Sequence, residues 1–143
     1  MVELRSLYRL AERRRIEVYP FPLPETGSLS VQDEAGRCYI GIDSGRAFTT
    51  SQERTHLAHE LGHCVTGSFY SRYTKIDSRQ RHENRADKWA VRKLISRGAL
   101  DDAVADGCTE LWELAERFGV SEELMKKAVC YYTYGNVAAE LYF

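Results

Sequence analysis

The segment His59-Glu60-Leu61-Gly62-His63 holds the side chains of this chain best suited to chemistry. On a helix, residues four apart lie about 40° apart around the axis and roughly 6 Å apart along it, so two imidazoles can converge on one metal ion. Glu60, beside the first histidine, projects near that ion without joining its ligands and can take a proton from a water there. Zinc is the metal this pattern suggests, and a catalytic zinc keeps three protein ligands and one open position. The extended pattern H-E-x-x-H-x-x-G-x-x-H would need a histidine where Phe69 stands. Glu83 offers a carboxylate further on, and Asp87, four residues later, shares its helix face. That spacing suits Glu83 as the third ligand and Asp87 as the acceptor for the far nitrogen of a ligand histidine, most naturally His59.

Other candidates around the pair are less defined. His56 falls on the same helix face as His59 and His63. It could be an alternative ligand or a substrate contact; the preferred reading is a residue that lines the cleft or supports a ligand from behind. Cys64 points about 100° away from His63 and reads as core. His82 reads as surface or as a cleft donor. For an oxyanion donor, Tyr70, Tyr73, His82, Tyr131 and Tyr134 all qualify by type.

These residues need a scaffold, and the hydrophobic pattern supplies an α+β one. Residues 3–15 read as a helix with Leu4, Leu7, Tyr8 and Ala11 on its buried stripe, and Arg13-Arg14-Arg15 as its solvated end. Residues 16–19 alternate as a strand, after which Pro20, Pro22 and Pro24 break regular structure. Residues 28–32 and 38–43 are two further strands joined by a hairpin loop, with Leu29 and Val31 marking one buried face and Ile40 and Ile42 another. Residues 43–46 read as a turn. Thr50 as N-cap with Glu53 reaching back would open the metal helix, which runs to about Val65 with Gly67 as its stop. Ser78 would cap the next helix, 79–96, which carries Glu83. Helices at 100–105, 109–118 and from 121 to about 134 follow.

The chain has 143 residues, the size of one ordinary domain, and 43% hydrophobic against 29% charged residues supports a packed core. We expect a single domain over residues 1–143, with a core at 1–98 and a helical subregion at 99–143. A net charge of -1 argues against a nucleic-acid binder working through bulk electrostatics. Residues 1–11 contain no clean apolar region of a secretory signal, and no run approaches the roughly 18 apolar residues of a membrane span. A cytoplasmic location is expected, with Cys38, Cys64, Cys108 and Cys130 as reduced structural thiols.

The stretches Arg54-Thr55-His56-Leu57-Ala58-His59-Glu60-Leu61-Gly62-His63 and Glu83-Asn84-Arg85-Ala86-Asp87-Lys88-Trp89-Ala90 resemble those of the ImmA/IrrE metallopeptidases, a gluzincin-type family. The second is similar to the family's E-x-x-A-[ND]-x-[FW]-A stretch. The resemblance implies a minimal zincin-like fold, one catalytic zinc on His59, His63 and Glu83, and Glu60 as catalytic base. Two departures stand out. Leu94-Ile95-Ser96 replaces the Met-Pro pair that often closes the glutamate helix, and His56 stands where a smaller or apolar residue is common. The resemblance also implies the substrate: a specific regulatory protein, often a helix-turn-helix repressor encoded nearby in a phage, mobile element or stress locus.

Two further expectations concern partners. A short sheet beside the metal helix could align an extended peptide by strand addition, with residues 38–43 as the receiving edge. Residues 111–128 resemble a helix-turn-helix, but Glu122 and Glu123 stand where base contacts would be made, so packing or docking of a protein partner is favoured over direct DNA binding. The competing reading is a non-catalytic module that binds a repressor or antitoxin and keeps a metal-site fold.

Overall fold

The computed structural model describes residues 1–43, 49–71, 73–141 and 143. Its elements are helix α1 (Leu4–Arg13), strands β1 (Glu17–Pro20), β2 (Ser28–Gln32) and β3 (Cys38–Ile42), then helices α2 (Thr50–Thr66), α3 (Ile76–Leu94), α4 (Arg97–Ala105), α5 (Leu111–Phe118) and α6 (Glu122–Tyr134). A short 3-10 helix, Ala139–Leu141, follows. The architecture is α+β, a compact zincin-like arrangement of helices on a small sheet. Among the described residues no helix is long and apolar enough to cross a membrane. The turn expected at 43–46 lies, past Asp43, outside the described residues.

The sheet has the order β1-β3-β2, with β1 parallel and β2 antiparallel to β3. Residues 38–43 therefore do not form an edge: β3 is the central strand, hydrogen-bonded on both sides. The edge beside the metal helix is β2. Pro20 ends β1 on the other edge, where a missing N–H costs no ladder bond.

The facing of β2 also corrects the sequence reading. Leu29 and Val31 are 47% and 46% exposed, while Ser28 is buried and Ser30 half-buried. Alternation fixes which residues share a face, not which face turns inward. Here the inward positions hold serines because a carboxylate, not an apolar core, lies beneath them. β3 follows the ordinary rule, with Cys38, Ile40 and Ile42 buried. They pack with Leu7 and Ala11 of α1, Leu57, Ala58 and Leu61 of α2, and Ala90, Val91 and Leu94 of α3 in one core that extends to Leu114, Phe118, Met125 and Ala128 of the tail.

Helix α2 starts one residue earlier than the capping reading implies. Thr49 is the N-cap: its hydroxyl accepts from Gln52 N at 3.1 Å, and Gln52 Oε1 accepts from Thr49 N at 2.9 Å. Glu53 is engaged elsewhere, accepting the Tyr8 hydroxyl at 2.7 Å. The helix closes at Gly67, whose φ of 67° is the left-handed cap conformation. Helix α3 opens at Ile76 after Lys75, without a side-chain cap, so Ser78 is inside it. The four cysteines are free thiols.

Candidate metal centre

Helices α2 and α3 lie in close contact because Gly62 has no side chain. A Cβ there would meet Ala86 O at 2.5 Å and Ala86 Cα at 3.0 Å. This close approach brings the polar residues of α3 against the histidines of α2. His59 Nε2 lies 2.9 Å from Glu83 Oε2, His63 Nε2 lies 3.2 Å from Glu83 Oε1, and the two Nε2 atoms are 3.2 Å apart.

The far sides of both rings are occupied. His59 Nδ1 donates to Asp87 Oδ1 at 2.8 Å, and His63 Nδ1 donates to the Ser68 carbonyl. A carboxylate and a carbonyl only accept, so both rings carry their proton on Nδ1. In the neutral form each Nε2 is then a bare lone pair. Two such lone pairs and two carboxylate oxygens pointed at one another repel unless a cation lies among them. The donor set therefore fits a metal ion.

The protonation equilibria report the same demand. Burial opposes a charged His59, but the Asp87 and Glu83 carboxylates outweigh it and raise its pKa to about 10. Burial likewise opposes a charged His63, and its bonds to Glu83 and Ser68 still move it upward. Burial alone would raise Glu83, yet His59 and His63 hold it well below the usual carboxylate range. Asp87 is lowered against its own burial by His59 and by Lys127, whose Nζ reaches Asp87 Oδ2 at 2.8 Å from α6. Protons and a metal compete for the same place.

Glu60 is a second carboxylate at the centre: it, His59 and His63 each bring a ligand atom within 4.8 Å of one another. The surroundings separate it from Glu83. Glu60 Oε2 accepts the Ser28 hydroxyl and Oε1 the Ser30 hydroxyl, each at 2.7 Å, whereas both Glu83 oxygens face an Nε2. That contrast favours Glu83 for the third ligand position. His56 does not approach the donor cluster through any of these bonds; its Nδ1 lies 2.8 Å from Ser28 Oγ.

These residues line one cleft of about 460 Å³. Ser28, Leu29 and Ser30 of β2 form one wall, and Phe69, Tyr70 and Glu83 another. Of the oxyanion candidates, only Tyr70 lines the cleft. Its hydroxyl donates to Glu83 Oε1 at 2.9 Å, and burial together with that carboxylate holds the phenol proton on. The His82 ring stacks on Tyr70 at 6.2 Å, with a buried Nδ1 that has no hydrogen-bond partner among the described residues. Tyr73 is 80% exposed, and Tyr131 pairs with the Tyr132 ring at 5.1 Å instead. Tyr134 is exposed at the end of α6.

Four residues of the site escaped sequence reasoning: Ser28, Ser30, Ser68 and Lys127. The strand reading placed Leu29 and Val31 inward and so turned both serines away. Ser68 acts through its backbone carbonyl, which carries no residue-type signal. Lys127 lies 40 positions from Asp87 in sequence.

Residues 11–129 match the family model described as the IrrE N-terminal-like domain, peptidase M78. No curated protein and no solved structure matches the chain significantly.

Proposed function

This chain belongs to the IrrE N-terminal-like (M78, ImmA/IrrE) family of peptidases, and from that premise we propose that it is a zinc-dependent endopeptidase of the gluzincin type. The observation that carries the reading is the convergence of two Nε2 lone pairs and the Glu83 carboxylate beside a separately held Glu60. His59, His63 and Glu83 would hold the metal, and Asp87 would orient His59. Two imidazoles and one carboxylate are a ligand set that zinc uses in catalysis. When bound, zinc would supply Lewis acidity at the scissile carbonyl and at the attacking water.

The protein's own side chains supply the rest. Glu60 takes a proton from the attacking water and passes it to the leaving amine. Tyr70, released from Glu83 when substrate enters, donates to the developing oxyanion. An extended peptide pairs with the free edge of β2, whose residues Ser28, Leu29 and Ser30 line the cleft.

The substrate we infer is one regulatory protein of the cytoplasm, a helix-turn-helix repressor. The support for it is the family resemblance of the α2 and α3 sequences; a peptidase acts on a protein in any case. We treat residues 1–143 as one functional unit, because α6 contributes Lys127 to the metal centre. The test is incubation of zinc-loaded chain with candidate helix-turn-helix repressors from the same genome, followed by mass spectrometry. One defined cut, absent after chelation, is expected. Stable binding without cleavage would favour the non-catalytic module instead.

A further inference from the structure

Strand β2 breaks the pattern of an ordinary half-buried strand. Its apolar residues Leu29 and Val31 face outward, and its inward positions are Ser28 and Ser30. Such a choice weakens apolar packing, and local rules of this kind are broken mainly where a site requires it. The two inward hydroxyls both end on Glu60, one on each carboxylate oxygen, at 2.7 Å. Glu60 itself is only 6% exposed, so its rotamer is decided by these bonds and not by solvent.

We propose that Ser28 and Ser30 are positioning residues for Glu60, forming a clamp on the general base that His56 sets from behind. The inference rests on the peptidase reading for its consequence, but the clamp itself is a matter of geometry. A hydroxyl has one proton. Ser28 donates it to Glu60, so its oxygen must accept from His56 Nδ1 at 2.8 Å. The chain of donation therefore runs from His56 to Ser28 to Glu60 and fixes the Nδ1–H form of His56. His56 lies one helical turn before Glu60 on α2, so helix and strand together define where the hydroxyl sits. Each Glu60 oxygen keeps a further lone pair, which leaves the carboxylate free to accept a proton from water in the cleft. The clamp also ties the base to the strand that the peptide would pair with, so one element sets both substrate register and base position.

Two readouts test the clamp on the zinc-loaded full chain: crystal structures of the wild type and of S28A/S30A, and their kcat and KM on dye-labelled β-casein. The expected result is Glu60 bound to both hydroxyls in the wild type and turned to another rotamer in the double variant, with the histidines and zinc unmoved. The kcat should fall at least about tenfold, short of the ~10²–10⁴ that loss of a general base costs, with KM unchanged. S30T, which keeps a hydroxyl, should restore kcat to the level of the wild type. If Glu60 keeps its place without the hydroxyls, or turns from them in the wild type, the clamp is wrong. Cleavage by S28A/S30A at the wild-type rate overturns the clamp and leaves the peptidase reading intact. No cleavage of β-casein by the wild type, with Glu60 released only in the double variant, supports the clamp on the structural readout and agrees with a peptidase confined to one regulatory protein.

Discussion

His59 and His63 are oriented by what their Nδ1 atoms touch, the Asp87 carboxylate and the Ser68 carbonyl. With both protons fixed there, the Nε2 lone pairs are directed at Glu83, and the proposed metal would lie among them. This makes a prediction for the metal-free chain. His59 has a folded pKa raised from 6.5 to about 10. A group raised on folding contributes stability that is complete below its unfolded pKa and lost as pH climbs through its folded one. Melting temperatures of metal-free protein should therefore fall as pH rises from about 6.5 to about 10. Saturating zinc takes the proton's place and should flatten that slope. A metal-free chain whose stability rises across the same window would contradict the assigned geometry.

At the level of elements, the histidine–glutamate arrangement depends on how closely α2 and α3 approach at Gly62. G62A places a methyl against the Ala86 backbone, which cannot swing aside as a side chain would. Overpacking of this kind should destabilise the fold by about 1–3 kcal/mol in denaturant titrations, and weaken metal binding as the helices part. Wild-type stability in G62A would mean that the contact is looser than described. The helices were legible in the sequence because their chemistry is local: H-E-x-x-H and Glu83 with Asp87 each sit at helical spacing on one helix. The sheet was less legible. Strand order is not a local property, so nothing in residues 38–43 marks them as central. Alternation in Ser28-Leu29-Ser30-Val31 is equally clear for either facing, and the choice is made by Glu60, which belongs to another element. The cap of α2 slipped by one residue because Thr49 and Thr50 are both good N-caps and Gln52 serves as well as Glu53.

Across the whole molecule, the helical tail is bound to the candidate metal centre. Arg54 of α2 donates to the carbonyls of Val2 and Gly119, and Ser121 N donates to Thr55 Oγ1 at 3.0 Å. The turn between α5 and α6 is thus fixed to the helix that carries the histidines. Lys127 then reaches from α6 to the oxygen of Asp87 that His59 leaves unused. K127M should leave the tail folded but lower zinc affinity about tenfold in chelator competition, since it removes the charge that holds Asp87 in place. K127R should recover most of the loss. Unchanged affinity in K127M would reduce the tail to a cover over the core.

On the proposed function, Glu60 does chemistry at a metal held by other residues. That role is tested most directly by zinc content and proteolysis measured side by side for the wild type and E60Q. One zinc per chain in both, with cleavage reduced at least about 10²-fold in E60Q alone, is the predicted result. A wild type that purifies without binding zinc, or an E60Q chain that cleaves as well as the wild type, would contradict it.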